Sequence, residues 1–216
     1  ALAQAGQQRD EEMRRLAAES ARLERAGALA FEESGRVRVD RDAFAQSERQ
    51  VRLALLSRLL TAAGGAPHAP DREKVERLER SLNDCAAGFV RTLGGARVSL
   101  GPNLGTKDMG LVFEREFGRK GPPSVRVSKG LRRYLFDERF DIVLSEQETE
   151  NAEWIVPLGV LGRGKHHDKT LPCLLDRRGE LIAAHPVLAD RLKRSSFSDT
   201  RCRVNWRFGV DLGACA

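Results

Sequence analysis

The sequence predicts an α+β protein: an all-helical subdomain over residues 1–87, then a β-rich, mixed but mainly antiparallel domain over residues 88–216. Three observations lead there. In the first part apolar residues recur at helical spacing, in runs that stop at glycines or prolines. From Arg91 onward apolar and polar residues alternate between turn-forming clusters. The charge divides at the same place. Residues 1–87 carry 15 Lys/Arg and 15 Asp/Glu, and the other 22 and 16 lie in 88–216, which therefore holds the whole net charge of +6.

Residues 1–33 read as helix, with Met13, Leu16, Leu23 and Leu29 on one side and Gly27 placed to break the run. Gly35 ends it, and Arg36 to Val39 is a brief extended link or edge strand. A second helix begins near Asp40 or Asp42, either of which can cap it, and runs to Ala63 before Gly64-Gly65. Phe44, Val51, Leu53, Leu55, Leu56, Leu59 and Leu60 give it a very wide apolar arc, which makes it central to the first core. Arg49 and Arg52 fall inside that arc, so a structural ion pair is expected there in preference to an RNA contact. Pro67 to Pro70 is a rigid link. Asp71 to Cys85 is a surface helix, apolar at Val75, Leu78, Leu82 and Cys85.

Arg91 to Arg119 reads as a hairpin. Arg91 to Leu100 is its first strand, entered through a bend at Gly94-Gly95; residues 101–105 form a turn-rich loop, and Leu111 to Phe117 is the return strand. Ser124 to Val127 is a short strand. Leu131 to Leu144 is two strands turning at Asp137-Glu138, and residues 145–153 are an acidic loop. Trp154 to Leu158 is a strand, and the basic loop Gly162 to Lys169 follows. Two apolar segments then flank a turn at Asp176 to Gly179. Residues 189–195 are short and basic, and Arg201 to Asp211 alternates as a last strand.

Hydrophobic residues at 41% and charged residues at 31% describe a globular chain. It shows no membrane-spanning run and no signal-peptide pattern. The start, ALAQAGQQRDEE, lacks Met, and the expectation is a piece of a longer protein. Cys85, Cys173, Cys202 and Cys215 form no CxxC pair and fit no zinc spacing, which suits a reduced, cytoplasmic setting. The basic second part suggests an anionic partner, nucleic acid or an acidic membrane surface.

A catalytic constellation is missing from the motifs. GxxxxGK[ST], GxSxG and HExxH are all absent. His166-His167 are adjacent in an extended segment, so their side chains diverge and make a poor metal pair.

Six segments in order, across roughly residues 48–190, carry a resemblance. They are RLALLSRLL with Gly64-Gly65 and its proline-flanked link; RTLGGARV; LVFEREFGR; LFDERF; IVPLGVLGRG; and LPCLLDRRGELIAAHPVL. Together they resemble the C-terminal region of the tRNA(Ile)-lysidine synthase family, especially its α-proteobacterial type. Phe117 stands where the family has proline, Glu138 where it has glycine, and His185-Pro186 where it has Pro-His. The family adenylates the wobble cytidine of an isoleucine tRNA at C2 with ATP, and the lysine amine then displaces AMP. That chemistry belongs to an N-terminal PP-loop domain marked by Ser-Gly-Gly-x-Asp-Ser, which these residues do not contain. The resemblance therefore implies a tRNA-holding part: a helical substrate-binding subdomain over 1–87 and a tRNA-binding domain over 88–216. It implies no catalytic residue, metal or cofactor in this chain, with ATP, Mg and lysine handled by the other domain.

A holding role needs Lys and Arg on a rigid frame, reading phosphates and helix shape. The candidates are Arg115, Arg119 and Lys120 after the hairpin, Arg163, Lys165 and Lys169 in the basic loop, and Arg191, Lys193 and Arg194 near the end. Two alternatives belong to other classes: a non-enzymatic basic module binding an acidic protein or RNA, and a hydrolase whose site is dispersed in the sequence.

Overall fold

The structure, a computed structural model, describes residues 2–102, 109–192, 195–196 and 201–204. It is an α+β chain with helices and mainly antiparallel sheets. Residues 103–105 of the loop expected over 101–105, the candidates Lys193 and Arg194, and the last strand beyond Val204 lie outside the described residues; residues 101–102 belong to the strand that precedes them.

The amino-terminal helix α1 (Leu2–Arg25) is shorter than expected, because the chain turns at Gly27 into β1 (Leu29–Phe31), which pairs antiparallel with β2 (Val37–Val39). The expected second helix is two: α2 (Arg41–Ala45), capped by Asp40 accepting from the Ala43 N–H, and α3 (Arg49–Gly64). The Arg52 guanidinium holds the break open by donating to the Ala45 and Ser47 carbonyls, each at 2.9 Å. It also meets Glu79 of α4 (Arg72–Asn83) at 2.6 Å, the structural ion pair expected for this arginine. On α3, Leu55, Leu56, Leu59 and Leu60 are all fully buried, because α1 and α4 pack on some of its faces and a sheet on another.

That sheet corrects both the all-helical first subdomain and the boundary at 87/88. Its order is β1-β2-β5-β4-β3, with β3 at Val90–Leu93, β4 at Ala96–Pro102 and β5 at Met109–Arg115. The hairpin thus joins β1 and β2, and Ala96, Val98, Leu111 and Phe113 complete the same core as Leu16, Leu23 and the leucines of α3. Gly94 and Gly95, with φ of 59° and 78°, form a two-residue turn between two strands, β3 and β4, where a bend at the entry of one strand was expected.

A second core begins at Val127. One of its sheets has the order β12-β11-β10-β9-β6: β6 (Val125–Arg126), β9 (Ala152–Pro157), β10 (Pro172–Asp176), β11 (Leu181–Ala184) and β12 (Ser195–Ser196). The other has the order β13-β8-β7, built from β7 (Arg133–Phe136), β8 (Phe140–Val143) and β13 (Arg201–Val204). Phe136, Phe140, Ile142, Ile155, Cys173 and Leu174 fill the space between them. The acidic segment expected as loop contains α5 (Glu146–Asn151), started by a capping box between Ser145 and Glu148. Residues 189–192 of the short basic segment lie in α6 (Pro186–Leu192). Among the described residues no helix is long and apolar enough to cross a membrane.

Candidate nucleic-acid interface

Three backbone segments meet where the two cores adjoin. A Cβ on Gly64 would lie 2.2 Å from the Gly94 carbonyl oxygen, one on Gly95 would lie 2.6 Å from the Gly64 oxygen, and one on Gly65 would lie 2.4 Å from the Asp137 oxygen. Only glycine permits approaches this close. Arg115 ends β5 beside them, donating from Nη1 to the Gly95 carbonyl at 3.0 Å and from Nε to Asp137 at 2.9 Å. Asp137 also receives Arg139 Nε at 2.8 Å, and Arg139 Nη2 reaches the Thr170 carbonyl at 3.0 Å. Asp137 and Glu138 have φ of 51° and 55°, and the Arg139 N–H returns to the Phe136 oxygen, so they occupy the centre of the expected turn between β7 and β8.

Arg139 is 1% exposed. Burial pulls its guanidinium down to about 10, against the opposing pull of Asp137, so it remains charged at neutral pH. His185 lies nearby, edge-on to Phe140 with ring centroids 5.4 Å apart. Its Nδ1 accepts from the Val187 N–H, capping α6 ahead of Pro186, and the ring is hydrogen-bonded to the Glu33 backbone. Burial, helped by Arg139, pushes His185 down to about 4, so the imidazole is neutral.

The basic residues collect on loops around this junction. Phe117 follows β5, and its ring lies between Gly121 and Gly159: a Cβ on either would stand 2.6 Å or less from its Cε2. The Gly159 position also lies 2.9 Å from the Lys169 Cβ. One ring thus joins the loop carrying Arg119 and Lys120 to the segment carrying Arg163, Lys165 and Lys169. That segment has a rigid base. Asp168, 2% exposed, accepts both terminal nitrogens of Arg191 at 2.8 Å and the Lys165 N–H at 3.3 Å, and it lies 3.1 Å from His167. Burial opposes the Asp168 charge, but Arg191, His167 and the Lys165 N–H outweigh it and hold the carboxyl below its ordinary range. His167 is lowered, chiefly by burial, with Asp168 pulling the other way.

The structure therefore sorts the seven of the nine candidates that lie among the described residues. Arg119, Lys120, Arg163 and Lys165 are exposed, and Lys169 is half-buried beside them. Arg115 is corrected to an internal strut, its side chain only 17% exposed and taken up by Asp137. Arg191 is exposed at 45% but spends its guanidinium on Asp168. Sequence reasoning missed Asp168, whose single carboxylate in a basic loop was the available signal. It also missed Arg36, whose charge bears on His167 and which pairs with Glu32 at 2.6 Å. His166 is exposed and faces Glu114 and Glu116 at 3.7 and 3.9 Å.

A groove of about 650 Å³ between α1, α3 and α4 shares no residue with this face, and its charged lining is of both signs, Glu12, Arg15, Glu48 and Arg72. Among the described residues no group of His, Cys, Asp or Glu is placed to hold a metal. Comparison with protein-family models, curated proteins and solved structures finds no match.

Proposed function

We propose that this chain is the tRNA-holding C-terminal part of a tRNA(Ile)-lysidine synthase, the ligase that joins lysine to the wobble cytidine of an isoleucine tRNA. ATP, Mg and the chemistry belong to a PP-loop domain outside these residues. The observation that carries the reading is the clustering of Arg119, Lys120, Arg163, Lys165 and Lys169 on two loops joined by Phe117 and braced by Asp168. Cations fixed on a stiff frame suit the phosphates of a structured RNA. The resembling segments support it as well. Gly64-Gly65, Gly94-Gly95, Arg115, Asp137 and Arg139 come from the first four of them, and all meet at the junction beneath those loops.

The test is filter retention of tRNA at several salt concentrations. Replacing Arg119, Lys120, Arg163 and Lys165 together by alanine is expected to weaken binding and to flatten the log–log salt slope by roughly 0.7–0.9 for each phosphate that is no longer neutralised. Replacing Arg72, Lys74 and Arg77 on α4 is expected to do little, since Glu73 and Glu76 on the same helix offset most of their field. Equal weakening by both sets, or a slope unchanged by the first, would overturn the reading. Pyrophosphate release from ATP and tRNA by this chain alone would also overturn it.

A further inference from the structure

Trp154 on β9 is 38% exposed, a costly position for an indole. Its cross-strand neighbour on the edge strand β6 is Arg126, whose guanidinium carbon lies 5.9 Å from the indole centroid. Glu153, next in the chain, holds two arginines. One carboxylate oxygen receives Arg126 Nη2 at 2.7 Å, and the other lies 3.9 Å from Nε of Arg177, in the turn between β10 and β11. Both guanidinium side chains remain open to solvent, 69% exposed for Arg126 and 72% for Arg177. Two cations against one carboxylate leave the cluster positive beside a flat aromatic surface.

We propose that Trp154, Arg126 and Arg177 form a stacking site for one unpaired nucleotide of the bound RNA. The base lies on the indole, where every base has a matching π-face, and the two guanidiniums take the flanking phosphates. An acidic peptide would satisfy the cations but leave the indole uncovered, so a nucleotide fits the whole cluster better. β9 runs from Trp154 to Pro157, three residues or about 10 Å, and the turn Leu158–Leu161 then leads into the basic loop. Strand and turn together set the spacing between the stacking site and that loop. This proposal rests on the RNA-binding reading above.

The experiment uses the full chain with Trp206→Phe, so that tryptophan fluorescence reports on Trp154. The probes are an RNA hairpin with a short single-stranded tail, the same hairpin cut blunt, and a poly-glutamate peptide. The tailed hairpin is expected to quench Trp154 and to bind more tightly than the blunt one. Trp154→Ala is expected to lower affinity about tenfold for the tailed hairpin alone, and Trp154→Phe to keep most of it. Equal weakening for both hairpins, no preference for the tail, or equal quenching by the peptide would overturn the stacking site while leaving blunt-hairpin binding intact. Failure of the unsubstituted chain to bind either hairpin would instead overturn the RNA-binding reading itself.

Discussion

Arg115, the last residue of β5, places its Nε 2.9 Å from the carboxylate of Asp137, the first residue of the turn between β7 and β8. One ion pair thus ties the sheet of the first core to the hairpin of the second. Asp137 is also the partner of Arg139, which has 1% of its side chain exposed. Asp137→Asn keeps the shape and removes the charge, leaving a buried guanidinium without its counter-ion. A loss of about 3–5 kcal/mol is expected in urea unfolding. Adding Arg139→Met is expected to recover part of it. A single-variant loss below about 1 kcal/mol would show that the pair is incidental.

Gly64→Ala sets two effects against each other. Alanine is the better helix former by about 1 kcal/mol. Its Cβ, however, would stand 2.2 Å from the Gly94 oxygen, and backbone cannot yield as a flexible side chain can. Steric cost should win, with a net loss of about 1–3 kcal/mol. A melting temperature raised by the substitution would show that the close approach is not maintained in solution.

His185 gives the fold a pH dependence whose sign can be worked out. Its folded value is pushed from 6.5 down to about 4, so between those values the unfolded chain binds the proton more readily. The stability due to neutral His185 is complete above pH 6.5 and is lost as pH falls toward 4, roughly 3 kcal/mol in all. His185→Asn keeps an acceptor at the start of α6 while removing the titration. Stability measured from pH 7 to 4 should be flatter in the variant. Parallel profiles would assign the acid sensitivity to other groups.

Arg191 is expected to act on RNA through the loop it braces. Arg191→Met removes the two bonds to Asp168, so the Gly162–Lys169 loop should exchange its amide protons faster. Affinity for tRNA should fall by more than the flattening of the salt slope accounts for, because Arg163 and Lys165 lose their fixed positions. Unchanged exchange together with a slope change worth one neutralised phosphate would instead place Arg191 directly against the RNA.

Much of this was legible in the order of residues. The leucines of α3, the alternation in β4, the β-branched and aromatic run in β5 and the Asp137-Glu138 turn depend on local spacing and residue type, and each formed where its pattern lies. The capping box that starts α5 was equally local, with Ser145 and Glu148 three residues apart, though an acidic stretch suggested loop. Gly94-Gly95 carried a hairpin signal too, but the alternation of Ala96 to Leu100 begins right after it, so the glycines read as the entry to one strand and not as a turn between two.

The sequence by itself determined the α+β class, the main helices and strands, and the concentration of positive charge after residue 87, because propensity, periodicity and charge are properties of neighbours in the chain. The tertiary structure decided where the cores divide, since β2 pairs with β5 across a long stretch of intervening chain and draws the hairpin into the first core. It also decided which arginines face outward. Arg115 and Arg119 look alike in sequence, but a buried charge needs a counter-charge, and only the fold brings Asp137 to Arg115 and leaves Arg119 exposed on its loop.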